Sequence, residues 1–171
     1  MAVGETIAKK GASLIYGGAS VGLMGAVADS ALKNQGQVFG VLPESLQRKE
    51  VSHTHLTKLY LVGSMHERKQ MMSDLADGFI ALPGGFGTFD ELCEILTWAQ
   101  MGLHHKPIGL LNVKNYFDLF IQQLNLGVEE GLLRAEHRQM VLIDTSISGL
   151  WEKMENYQPP VVEKLISRTQ T

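Results

Sequence analysis

The segment FIALPGGFGTFDELCEILTWAQ, residues 79–100, joins an apolar run to an amphipathic one through three closely spaced glycines. Residues 78–82 read as a buried strand and residues 88–101 as a helix, from the change of apolar period between them. Gly84, Gly85 and Gly87 allow a sharp turn and close approach of the backbone to a ligand, because no Cβ intervenes. Strand, glycine turn and helix in that order are half of a βαβ unit.

The same alternation runs through the chain. Strands are predicted at 13–16, 37–41, 58–62, 78–82, 107–111 and 140–143. Helices are predicted at 2–10, 22–33, 64–76, 88–101, 116–130 and 148–157. This is the pattern of an α/β protein with a parallel sheet covered by helices. Residues 1–171 are expected to form a single domain, with 159–171 a peripheral tail after Pro159–Pro160. The chain opens on a helical pattern, whereas a doubly wound sheet normally opens on a strand whose C-terminal loop helps to bind the ligand.

Composition excludes several classes. A formal charge of −3 and a pI near 6.1 give no basic face for nucleic acid. No apolar run reaches the length of a membrane span, and the N-terminus lacks the order of a signal peptide. Cys93 is the only cysteine, so no internal disulfide can form, which fits a reducing cytoplasm. No Cys or His set has zinc-site spacing, and nothing resembles a serine nucleophile elbow. No metal and no cofactor is expected.

Three constellations carry chemistry. In the first, the helix following the glycine turn would present free N–H groups and a positive dipole end to an anion. Thr88 and Glu91, three apart, also satisfy the capping-box rule, so Glu91 reads equally as a helix cap or as a working carboxylate. The apolar residues of this helix point nearly all round its axis, which predicts burial against its own sheet and against a partner subunit. Glu94 is read as structurally paired. The second is SMHERKQMMSDLA, residues 64–76, with a capping box at Ser64 and Glu67. Arg68 and Lys69 border its apolar face. They are placed either to snorkel over the core or to pair with phosphate or carboxylate. The third is LIYGGASVGLMGAVADSAL, residues 14–32, whose glycine spacing fits neither the dinucleotide fingerprint nor the lysine-bearing P-loop.

Taken together, PGGFGTFDE, SMHERK and YGGASVGLMGAVADSAL resemble the Lonely Guy family of cytokinin riboside 5'-monophosphate phosphoribohydrolases, long labelled lysine decarboxylases. The similarity runs from about Gly11 to Tyr157. It implies a Rossmann-like three-layer sandwich with a parallel sheet, and a homodimer with active sites near the subunit interface. The reaction it implies is hydrolysis of the N-glycosidic bond of a nucleoside 5'-monophosphate to free base and ribose 5-phosphate. By resemblance Arg68 and Glu91 are catalytic. Substrate would be bound by Glu50, Arg68, Lys69, Gly84, Gly85, Phe86, Gly87, Thr88, Phe89, Asp90 and Glu91. Glu50 rests on the resemblance alone. Family members begin with a strand and a GSS-like loop before the helix that opens this chain. The resemblance therefore implies that the first strand is lacking here, and that either something such as a partner chain covers the gap or the chain is poorly stable alone.

Other classes share parts of this pattern. A non-catalytic Rossmann-like nucleotide or cofactor carrier would share the glycine turn. A pyridoxal phosphate decarboxylase needs a lysine poised to form an aldimine, and no lysine here sits in a recognisable site. An NAD-dependent oxidoreductase would use an acid such as Glu44, but the fingerprint glycines are wrong.

Overall fold

The computed structural model describes residues 2–47 and 52–160. Their contacts divide the chain after Ala76 into two compact units. Each is described by itself.

The first unit carries α1 (Ala2–Lys9), β1 (Ser13–Tyr16), α2 (Gly22–Lys33), β2 (Gln37–Pro43), α3 (Glu44–Gln47), β3 (Lys58–Val62) and α4 (Met65–Leu75). Its three strands lie in the order β1-β2-β3, both pairings parallel, with Ser13 opposite Gln37 and Phe39 opposite Lys58. Parallel neighbours need a long crossover, and α2 supplies it between β1 and β2. The middle strand is the most apolar and the deepest, with Val38, Val41 and Leu42 fully buried. Tyr16, Ala28, Ala31 and Val38 form a core between α2 and the sheet.

The second unit carries β4 (Phe79–Ala81), α5 (Phe86–Gln100), β5 (Ile108–Leu111), α6 (Asp118–Glu129), α7 (Ala135–Gln139), β6 (Val141–Asp144) and α8 (Ile147–Glu155). Its strands run β4-β5-β6, again all parallel, and all four residues of β5 are buried. Its core joins Leu92, Ile95 and Ala99 of α5 to Ile108, Leu110 and Phe117. That spacing is one helical stripe. Cys93 and Thr97, on another side of α5, are exposed in the single chain. The α/β class with parallel sheets is as expected. The elements α3 and α7 were not foreseen, because four and five residues are too few to establish a period.

Asp144, at the end of β6, shows how charge fixes a strand–helix turn. Its carboxylate accepts from the Lys153 ammonium (2.9 Å), the Ser146 amide (2.8 Å) and the Ser146 hydroxyl (2.9 Å). Lys153 first and Ser146 second hold its pKa down to about 2. With an unfolded value of about 3.9, this contribution is fully present above pH ~4 and is lost as pH falls through the folded value. Asp144→Asn is expected to be less stable than the parent at pH 7 and to converge with it near pH 2. Urea unfolding across that range measures the difference, and parallel curves at both pH values would reject the assignment.

Candidate active site

The helix α4 starts as its sequence predicts. The Ser64 hydroxyl accepts from the Glu67 amide (3.1 Å), and the Glu67 carboxylate accepts in return from Gly63 N–H (2.8 Å), one residue upstream of the expected Ser64. One orphan donor of the helix, the Glu67 N–H, and the Gly63 N–H just ahead of the cap are satisfied. Ser64→Ala should cost about 1 kcal/mol, a fall in Tm of about 2–4 °C for a chain of this size. An unchanged thermal transition would show that the cap contributes nothing.

The buried residues of α4 are Arg68 and Ser73, while Met65 and Leu75 are exposed. Arg68 is only 8% exposed, so its charged head does not snorkel to water. The guanidinium lies instead against Gly17, at the C-terminal end of β1. A Cβ on Gly17 would stand 1.9 Å from Nη2 and 3.0 Å from Cζ. Gly17 is thus glycine because Arg68 occupies the place of its side chain. Burial of a guanidinium is costly, so a fold that keeps one at a strand's C-terminal end has placed it where α/β proteins bind ligands. Lys69, the next residue, is half-buried.

The loop after Gly17 is clamped from outside. The amide of His53 donates to Gly18 O (3.1 Å), Ala19 bridges Ser52, and His53 Nε2 meets Asp29 of α2 at 2.9 Å. Glu50 lies outside the described residues.

In the second unit, α5 begins two residues earlier than predicted. Gly85 is the N-cap, in an extended conformation, and makes no side-chain cap. The amides of Thr88 and Phe89 both turn back to Gly85 O, at 3.0 and 3.3 Å. The expected Thr88–Glu91 capping box is therefore absent. Thr88 is the third helical residue, and its hydroxyl faces Gly84, where a Cβ would stand 2.1 Å from Oγ1. Glu91 falls in the second turn, beyond reach of a cap.

Phe86 and Gly87 head the first helical turn, where their N–H groups precede the first residue that has an intrahelical acceptor. Cβ atoms built at Gly85 and Gly87 would meet nothing within 4 Å, and Phe86 is 94% exposed. The turn is open, and the dipole of a 15-residue helix points its positive end there. Asp90 is exposed and Glu91 half-buried. Phe89 points the other way, packing on Phe117 and Phe120 with ring centroids 6.2 and 5.6 Å apart. Its side chain therefore belongs to the core. One contact had no sequence signal: the Tyr116 hydroxyl donates to Gly84 O, 32 residues away along the chain. Periodicity reads Tyr116 only as a helix start.

Comparison with known proteins places the chain in one family. A family profile described as "Possible lysine decarboxylase" matches residues 24–154. The chain belongs to the Lonely Guy family. A rice (Oryza sativa subsp. japonica) protein named as a probable cytokinin riboside 5'-monophosphate phosphoribohydrolase is 43% identical over 155 residues, covering 91% of this chain and 70% of that protein. A second rice protein, named as a cytokinin riboside 5'-monophosphate phosphoribohydrolase, is 41% identical over 157 residues, covering 92% of this chain and 65% of its own length. Among solved structures, the molybdenum cofactor binding protein of Rippkaea orientalis superposes with a TM-score of 0.66 at 23% identity, covering 90% of this chain and 82% of that one. That likeness concerns the fold. Among the described residues of this Lonely Guy chain, no three His, Cys, Asp or Glu side chains stand together as metal ligands. No helix among them is long and apolar enough to cross a membrane.

Proposed function

We propose that the chain hydrolyses the N-glycosidic bond of nucleoside 5'-monophosphates, AMP or a cytokinin riboside 5'-monophosphate, releasing free base and ribose 5-phosphate. The observation that carries this reading is the 43% identity across 91% of the chain to a protein named for that reaction. The open glycine turn at the head of α5 supports it.

Cleavage builds positive charge on the ribose and negative charge on the departing base. The C1'–N bond breaks, a water oxygen bonds to C1', and the proton that this water gives to Glu91 is passed on, through solvent, to the base nitrogen. The turn from Gly84 through Gly85, Phe86 and Gly87 to Thr88 holds the 5'-phosphate through the backbone N–H groups that precede Thr88 and the helix dipole. Phe89 extends that frame from the core, and Asp90 borders it. Binding energy from the phosphate, remote from the reacting bond, then fixes the ribose for attack. Glu91, one helical turn along α5, stabilises the oxocarbenium-like centre and orients or deprotonates the water. Arg68 stabilises charge in the transition state, Lys69 adds attraction for phosphate, and Glu50 contacts sugar or base. No cofactor enters these steps.

The exposed apolar residues of the second unit support a homodimer. Helix α6 buries no residue, and Leu119 and Leu132 are 78% and 87% exposed. A cytoplasmic location fits a nucleotide substrate and a lone thiol. Incubation with AMP and with isopentenyladenosine monophosphate, followed by chromatography for free base, tests the reading. Tight nucleotide binding without release of base would favour a carrier instead.

A further inference from the structure

Gly84, Gly85 and Gly87 give the turn its open access, and the same lack of side chains leaves its backbone free to adopt many conformations. A cradle of N–H donors acts well only when those donors are fixed in advance. The fixing contact comes from the segment between β5 and α6. The phenol of Tyr116 donates to Gly84 O. That bond sets the plane of the Gly84–Gly85 peptide, and so the direction of the Gly85 N–H at the N-cap. Drawing electron density from the carbonyl also sharpens that N–H as a donor.

Tyr116 is itself held by a built bracket. Asn112, 6% exposed, donates its amide N–H to Asp144 O (2.8 Å) and its side-chain Nδ2 to Asp118 Oδ1 (2.7 Å). Its Oδ1 accepts from Phe117 N–H (2.8 Å). Phe117 is fully buried, edge-on to the Tyr116 ring at 5.1 Å and to Phe89 of α5 at 6.2 Å. Between these contacts, Lys114 and Asn115 lie in the left-handed region, at φ 53° and 60°. Two successive non-glycine residues in that region are strained, and strain of this kind persists where surrounding contacts over-determine it. The strained pair delivers Tyr116 to the glycine turn.

We infer that Tyr116 is a positioning residue, which presets the turn at residues 84–88 to receive the 5'-phosphate. The inference rests on the proposed hydrolysis for its ligand, though not for its test. Tyr116→Phe removes one hydroxyl and keeps the ring packed on Phe117. Inorganic phosphate is titrated into parent and variant while the Gly85 and Gly87 amide signals are followed by NMR. AMP hydrolysis and thermal unfolding are measured on the same samples.

The expected result is phosphate affinity weakened roughly tenfold and KM for AMP raised by a similar factor. The kcat should change less than about threefold and Tm by no more than a degree or so. Unchanged phosphate affinity and KM would overturn the inference. So would a fall in Tm with kcat and KM shifting together, which marks a merely structural bond. A parent that binds phosphate at the turn more tightly than the variant, but releases no base, sinks the hydrolysis and leaves Tyr116's role standing. A parent that releases base while its turn amides ignore phosphate does the reverse. Neither response would sink both.

Discussion

Glu91→Gln is expected to bind AMP about as well as the parent while losing roughly 10²–10⁴ of its turnover, the range supplied by a positioned acid-base group. The substitution keeps shape and removes only the charge and the basic oxygen. Glu91 lies in the second turn of α5 and is not the third residue of a capping box, so a defect in the variant cannot be assigned to loss of that box. The carboxylate is half-buried, and its neighbours Leu92 and Ile95 are seated in the core, which keeps its Cα in place after substitution. Free adenine released from AMP, quantified against nucleotide affinity by calorimetry, separates binding from chemistry. Near-normal adenine release by Glu91→Gln would remove Glu91 from the mechanism.

Gly17→Ala is expected to cut turnover about 10²-fold, comparable to removing one transition-state charge contact, while Gly17 itself touches no substrate. The added methyl would fall 1.9 Å from Arg68 Nη2, closer than any packing permits. What it meets is the movable end of a long side chain, so the guanidinium swings aside before the sheet distorts. Stability should therefore fall less than activity. Arg68→Ala supplies the control. If Gly17 acts through Arg68, the double variant is no slower than Arg68→Ala alone, a non-additivity expected for residues in contact. Additive losses, or full activity in Gly17→Ala, would show that the position of Arg68 does not govern the reaction.

Much of the architecture was legible in sequence because each element carries its own period. The strands Ser13–Tyr16 and Lys58–Val62 and the helix Gly22–Lys33 fall where apolar spacing puts them. Ser64 with Glu67 marks the start of α4 through a local hydrogen bond, and local bonds follow local sequence. The same rule failed at Thr88 and Glu91. There the extended conformation of Gly85 lets the helix start two residues earlier and leaves the Thr88 hydroxyl over Gly84. Glycine carries no side chain to announce its conformation, so a boundary made of glycines is the hardest to read.

By itself, the sequence determined the alternation of strand and helix, the glycine turn before a carboxylate-bearing helix, and the family to which these motifs belong. Those properties depend on residues close together along the chain. Only the tertiary structure decided that Arg68 is buried against Gly17, that Glu91 is not the third residue of a capping box, and that Tyr116 holds Gly84. The Arg68 and Tyr116 contacts span 51 and 32 residues and arise when parallel strands bring distant turns together. No local period encodes such a meeting, because side-chain spacing reports which face is apolar and not what that face will touch.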